Sequence, residues 1–158
     1  MSDNSAPMVT VIINCYNMRD YIEQCLRSVA GQRTDFEVEA IICDDCSPDG
    51  TQDVIRALAP SLPSNWTYLL YEKNSGDGGA SMGKESTARA RGKYLAVLDG
   101  DDYWTYDGKL QEQVDFLEAH PDFSAAFHHC EVGDKDGNPS GGGYPEWPKD
   151  EDTFKGFF

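Results

Sequence analysis

The sequence predicts an α/β fold, a mostly parallel sheet with helices on both faces. Three observations carry that prediction. Strand and helix patterns alternate four times along the chain, the signature of βαβ units. Met8–Asn14 is a continuous apolar run, as expected of a strand buried on both faces, and Tyr94–Leu98 reads as another buried strand. Between the strand candidates, apolar residues recur at helical spacing.

Each element follows from its own residues. Met8–Asn14 (MVTVIIN) is uninterrupted and rich in β-branched residues, which suits the first strand. Ile22, Cys25, Leu26 and Val29 then recur at i, i+3, i+4 and i+7, one face of a helix that Gly31 can end. Glu37–Cys43 reads as the second strand. Asp44–Gly50 (DDCSPDG) is a tight loop, with Pro48-Asp49-Gly50 as turn chemistry. Thr51 is the expected cap of a helix with Val54, Ile55 and Leu58 on its apolar face, broken at Pro60. Trp66–Tyr71 is the third strand, Asn74–Gly79 a glycine-rich loop, and a weakly apolar helix runs on to about Arg91. The fourth strand, Tyr94–Leu98, carries Asp99–Asp102 at its carboxyl end. Asp107 is the expected cap for a helix over Lys109–His120, with Leu110, Val114 and Leu117 inward. Phe123–Cys130 reads as a further strand and Gly133–Asp150 as loop.

Composition narrows the function. The 158 residues suit one domain, 1–158, with a real core. Hydrophobic content of 39% and charged content of 26% are ordinary for a soluble globular protein. No apolar run approaches the roughly 18–20 residues of a membrane span, and Met1–Pro7 lacks the features of a signal peptide. A cytoplasmic location is expected, with membrane association left open for a full-length protein. The net charge of −15 argues against nucleic acid and anionic membranes as partners. A phosphate-bearing ligand therefore needs a metal, backbone amides or a local basic pocket. Of the five cysteines, Cys43 and Cys46 have redox-motif spacing, but Asp44 and Asp45 between them would raise the thiol pKa. Buried reduced thiols are expected, and zinc is not.

In open parallel sheets, ligands bind outside the carboxyl ends of the strands, near the point where strand order reverses. Asn14–Asn17, Asp44–Asp49 and Asp99–Asp102 fall at such ends. Asp99, Asp101 and Asp102 crowd three carboxylates into four residues. Two unit charges 4 Å apart cost about 4 kcal/mol at an effective dielectric near 20. A divalent cation removes that cost and gives a diphosphate an attachment point, and hard oxygen ligands suit Mn²⁺ or Mg²⁺. Gly100 lets the backbone approach a ligand. The alternative is a solvated acidic turn. Asp45 can accept from a nucleobase imide or a ribose hydroxyl; the alternative is turn capping, which accounts for Asp49. Gly78–Lys84 matches seven positions of a phosphate-binding P-loop, but Glu85 stands where Ser or Thr is needed, and the loop follows the third strand rather than the first. Lys84 meets a phosphate or is simply solvated. His128 and His129, on a strand, would face opposite ways, one toward the crevice or both in structural roles.

Taken together, VTVIINCYN (Val9–Asn17), CLRSVAGQ (Cys25–Gln32), IICDDCSPDGT (Ile41–Thr51), GKYLAVLDGDDYW (Gly92–Trp104) and KLQEQVDFLEAHP (Lys109–Pro121) resemble the family-two inverting glycosyltransferases of the Rossmann-like GT-A fold. The resemblance covers about Val9 to Phe127. It implies metal-dependent transfer of a sugar from a nucleotide-diphosphate donor, by default a uridine diphosphate sugar, to a sugar or lipid-linked acceptor. Cell-surface polysaccharide assembly is the usual setting of bacterial members. By resemblance, Asp45 contacts the base, and Asn14, Tyr16 and Asn17 line the nucleotide pocket. Asp101 meets the ribose or diphosphate. Asp102 is the principal metal ligand, supported by Asp99, and the metal acts as a Lewis acid on the leaving diphosphate. The carboxylate base and the acceptor-binding half are expected beyond Phe158; Glu151 and Asp152 are not assigned that role. Two departures stand out: many members carry Pro or Thr at the Asn14 position, and many carry Arg-Asn where this chain has Gly83-Lys84. Two other classes remain in view, a non-catalytic nucleotide-sugar-binding module and a P-loop NTPase.

Overall fold

The most apolar run becomes the central strand. In a computed structural model that describes residues 6–134 and 138–144, β1 (Val9–Cys15) lies between β2 (Val38–Asp44) and β4 (Tyr94–Asp99), and β3 (Thr67–Leu70) pairs with the far side of β2. All three pairings are parallel, giving the order β3-β2-β1-β4. The chain therefore starts in the middle, winds outward to β3, and returns to place β4 on the other side of β1. Strand order reverses between β1 and β4.

That reversal decides which face each helix takes, because parallel crossovers keep one hand. α1 (Ile22–Ala30) and α2 (Thr51–Leu58) make the outward crossovers and share one face; α3 (Ala80–Arg89) makes the return and covers the other. Side-chain alternation agrees. Val9, Val11, Ile13 and Cys15 of β1 join Ala40 and Ile42 of β2 in a core with Ile22, Leu26 and Ile55. Ile41 and Cys43 point the opposite way and meet Met82 of α3. Each fully buried aliphatic side chain contributes about 1.5–3 kcal/mol. α4 (Lys109–Ala119) adds Leu110 and Val114 to the larger core, beside Trp104.

The amino ends of the strands are tied by a buried acid. Glu39 is 4% exposed. It accepts from Thr10 Oγ1 at 2.7 Å, from the Arg91 amide at 2.8 Å and from Arg91 Nε at 2.9 Å. Burial alone would raise its pKa, but these bonds and the Arg91 charge together hold it below the ordinary value.

Several expectations need correcting. β4 is not buried on both faces: Leu95 is 49% and Val97 66% exposed, because α3 covers β2 and β1 but stops short of β4 among the described residues. Thr51 is the first helical residue rather than the cap; Gly50 takes the cap position with φ 95°, and Asp49 supplies the capping carboxylate. Asp107 does not cap α4. Gly108 sits at that position, and Asp107 instead pairs with Arg33 at 2.9 Å. The stretch expected as a strand over Phe123–Cys130 is irregular up to His129. The strand there is β5 (Cys130–Gly133), which pairs antiparallel with β6 (Pro139–Tyr144), inside the segment expected as loop. His128 and His129 are therefore not opposed on a strand, and both are exposed. Among the described residues, no helix is long and apolar enough to cross a membrane. Glu151, Asp152 and Phe158 lie outside the described residues.

Candidate functional site

Two αL residues start the site. Asn17 (φ 60°) and Cys46 (φ 59°) turn the chain sharply after β1 and β2. Asn tolerates that conformation; for Cys it costs roughly 1–2 kcal/mol. The surroundings hold both turns. The Asn17 amide donates to Ser47 Oγ at 2.9 Å, the Met18 amide to Thr51 Oγ1 at 2.9 Å, and the Arg19 amide to Asp49 Oδ2 at 3.0 Å. The loop after β1 is thus bolted to the loop after β2.

Asp44 is the hub of the second loop and is fully buried. Its Oδ1 accepts from the Ser47 amide at 3.0 Å and Gln52 Nε2 at 2.7 Å, and its Oδ2 from Ser47 Oγ at 2.5 Å. Gln52 also donates to the Tyr71 carbonyl at 2.9 Å, which ties in the end of β3. Asp45, next in sequence, points elsewhere. Its carboxylate lies in the cleft and accepts from the Ser75 amide at 2.7 Å and Ser75 Oγ at 2.8 Å. Two neighbouring acids in one motif thus have separate jobs.

The cleft has a volume of about 560 Å³. Asn14, Tyr16, Asp45, Asn74, Met82 and Asp99 line it, at the carboxyl ends of the strands and beside the order reversal. Asn14 and Asp99 are register partners across β1 and β4 and share the α3 face. The Asn14 side-chain oxygen Oδ1 is buried and has no hydrogen-bond partner. Leaving it unmet costs about 1–3 kcal/mol, so the cleft floor holds an acceptor that a ligand N–H or O–H would satisfy.

At the other side of the cleft, the Gly100 amide donates to the Asn14 carbonyl at 2.9 Å and the Asp102 amide to the Asp99 carbonyl at 3.0 Å. Gly100 is required there: a Cβ would stand 2.8 Å from Cys15 Sγ. Asp101 and Asp102 are exposed and lie outside the cleft lining. Desolvation first, then the charges of Asp101 and Asp99, push the Asp102 carboxyl above its ordinary pKa. Among the described residues, no group of three or more His, Cys, Asp or Glu side chains is close enough to hold a metal ion. The donors in this turn are hard oxygens, which fit Mg²⁺ or Mn²⁺ held by one or two carboxylates with the remaining positions left to water and substrate phosphates. Beneath the turn, Cys25 Sγ donates to the Asp99 carbonyl at 3.6 Å. Burial, reinforced by Asp102, Asp101 and Asp99, pushes that thiol up to about 12, which keeps its proton available for the bond.

The P-loop likeness fails on geometry. Gly79 (φ 86°) caps α3, but the carboxylate of Asp77 fills the helix terminus, accepting from the Gly79 amide at 3.1 Å, from the Ser81 amide at 3.0 Å and from Ser81 Oγ. These bonds hold Asp77 down to about 2, the Ser81 and Ser75 hydroxyls contributing most. Lys84 is exposed on α3 and outside the cleft lining. Glu85 bonds Tyr71 Oη at 2.6 Å and Arg89. Sequence reasoning missed Asn74, Ser75 and Asp77; their short polar side chains in a glycine-rich stretch were the signal. All five cysteines are free, but only Cys15, Cys25 and Cys43 are buried. Cys43 is pushed up to about 11 by burial first and the Glu85 charge after it, rather than by the adjacent aspartates.

Comparisons with known proteins agree with this architecture. The glycosyl transferase family 2 model matches residues 10–155. An uncharacterised Mycobacterium tuberculosis protein is 39% identical over 129 residues, 82% of this chain and 37% of its own length. The Escherichia coli UDP-Glc:alpha-D-GlcNAc-diphosphoundecaprenol beta-1,3-glucosyltransferase is 35% identical over 117 residues, 73% of this chain and 43% of its own length. The structure of Staphylococcus aureus TarS 1–349 in complex with UDP-GlcNAc superposes with a TM-score of 0.61 at 30% identity, over 72% of this chain and 32% of that one. The chain thus spans less than half the length of these relatives, and the fold it shares with TarS is the GT-A fold expected from the sequence. This chain belongs to glycosyl transferase family 2.

Proposed function

We propose that the chain forms the donor-binding part of a metal-dependent sugar transferase, with a uridine diphosphate sugar as donor. The observation that carries this is the convergence of Asn14, Asp45 and Asp99 on one cleft at the strand-order reversal. Asp45 accepts from the base, Asn14 and Tyr16 line the nucleotide pocket, and Asn17 shapes the turn that presents them. Asp102 and Asp99 hold Mn²⁺ or Mg²⁺, with Asp101 toward the ribose or diphosphate. When bound, the metal supplies Lewis-acid stabilisation of the leaving diphosphate. Of the two readings of Lys84, its exposed position on α3 outside the cleft lining supports the solvated one. The UDP-GlcNAc complex of TarS and the UDP-glucose donor in the E. coli relative's name support the choice of donor. The acceptor is a sugar or lipid-linked sugar hydroxyl in cell-surface polysaccharide assembly.

Titration calorimetry with UDP, with and without Mn²⁺, tests the reading. UDP should bind at least tenfold more tightly with Mn²⁺, and Asp102→Asn should remove that gain without lowering the melting temperature. Equal affinity in all arms would sink the metal assignment. Sugar transfer to an acceptor separates an enzyme from a module that only binds.

A further inference from the structure

The Ser75 hydroxyl lies between two carboxylates. Its Oγ is 2.8 Å from Asp45 Oδ2 and 2.7 Å from Asp77 Oδ1, while its amide N–H donates to Asp45 Oδ1 at 2.7 Å. A hydroxyl carries one proton, so Oγ serves one of the two acids at a time. Asp45 is 4% exposed and lines the cleft. Both Asp45 oxygens are thus fixed from the loop side, and the Asn74 amide group, donating to the Asp45 carbonyl at 2.9 Å, fixes the backbone beneath them.

We infer that Ser75 is a specificity-determining residue that holds Asp45 in one rotation, so that the site prefers a base edge with an imide N–H over one with a lone pair at the same position. The inference rests on the assignment of Asp45 to the base. Uracil presents N–H at ring position three; cytosine presents an acceptor there and its amino group beside it. A carboxylate accepts hydrogen bonds and donates none, so a fixed one rejects cytosine, whereas a carboxylate free to rotate reaches the amino group. A carboxylate oxygen accepts more than one hydrogen bond, so Ser75 keeps its hold on Asp45 while uracil donates to it.

The test measures binding of UDP and CDP in Mn²⁺ by calorimetry on the whole chain. Ser75 is exposed, and a melting curve checks that each variant folds. Ser75→Ala should weaken UDP about tenfold, the loss of one hydrogen bond to a charged group, and leave CDP binding no weaker or make it tighter, so that the UDP/CDP preference falls at least about tenfold. Ser75→Thr should restore it. Equal weakening of both nucleotides, or none, overturns the inference, because a merely structural role moves both together. Unchanged UDP binding in Asp45→Asn would instead overturn the base assignment itself.

Discussion

The two acidic loops that flank the cleft are built on opposite plans. In the loop after β2, every carboxylate has donors: Asp44 accepts three hydrogen bonds, Asp45 two, and Asp49 three. In the turn after β4, the backbone is tied by two amide bonds, but the Asp101 and Asp102 side chains face solvent without a described donor. The first loop is finished by protein alone. The second gathers like charges that repel one another, a repulsion that the proposed cation would relieve. A rigid half suits reading a base, since its geometry must be set before the ligand arrives. A half assembled by ligand suits a metal that arrives with the diphosphate.

The largest test of this contrast is Asp44→Ala. It strands the part-buried Ser47 amide and Gln52 side chain and removes the acid through which Gln52 ties β2 to the end of β3. Unfolding stability measured in urea should fall by about 3–5 kcal/mol. A loss under about 1 kcal/mol would mean that the first loop is not wired through Asp44.

Gly100→Ala probes the point where the second loop touches the sheet. The new methyl meets Cys15 Sγ at 2.8 Å and the Asn14 carbonyl at 3.3 Å. Overpacking of this kind costs about 1–3 kcal/mol. Part of the cost should disappear in a Cys15→Ala background, because the sulfur is the nearer obstacle. If the double variant is no better than the sum of the singles, the carbonyl is the true limit.

How much of this was legible in the sequence follows the same division. Strands β1, β2 and β4 and their helices were readable because local apolar pattern and global packing agree there. That Asp45 and Asp99 stand at strand ends beside one cleft was readable because a strand end fixes where a residue goes in an α/β sheet. Leu95 and Val97 misled: an apolar run says that a side chain favours burial, not what covers it. Thr51 and Asp107 misled for a different reason. Each lies in a cluster of capping-competent residues, and the choice among them depends on long-range partners, Met18 for Thr51 and Arg33 for Asp107. The division of labour between Asp44 and Asp45 was invisible, since only the path of the backbone after β2 sends one inward and the other to the cleft. Ser75 was hidden likewise, being thirty residues from the acid it serves.

The smallest expected effect sits at Asp49 and concerns charge alone. Burial would raise its pKa, but donors from Thr51 and the Arg19 amide hold it below the ordinary 3.8. A group whose folded pKa is depressed adds stability above its unfolded value, and that contribution is lost as pH falls through the folded one. Asp49→Ala should therefore cost about 1 kcal/mol at pH 7, as loss of a helix cap does, and the gap to the parent protein should narrow below about pH 3.8. Urea denaturation at pH 7 and pH 3 measures both. A gap of the same size at the two pH values would show that Asp49 holds the loop by shape rather than by charge, and would remove electrostatics from the account of why the first loop stands without a ligand.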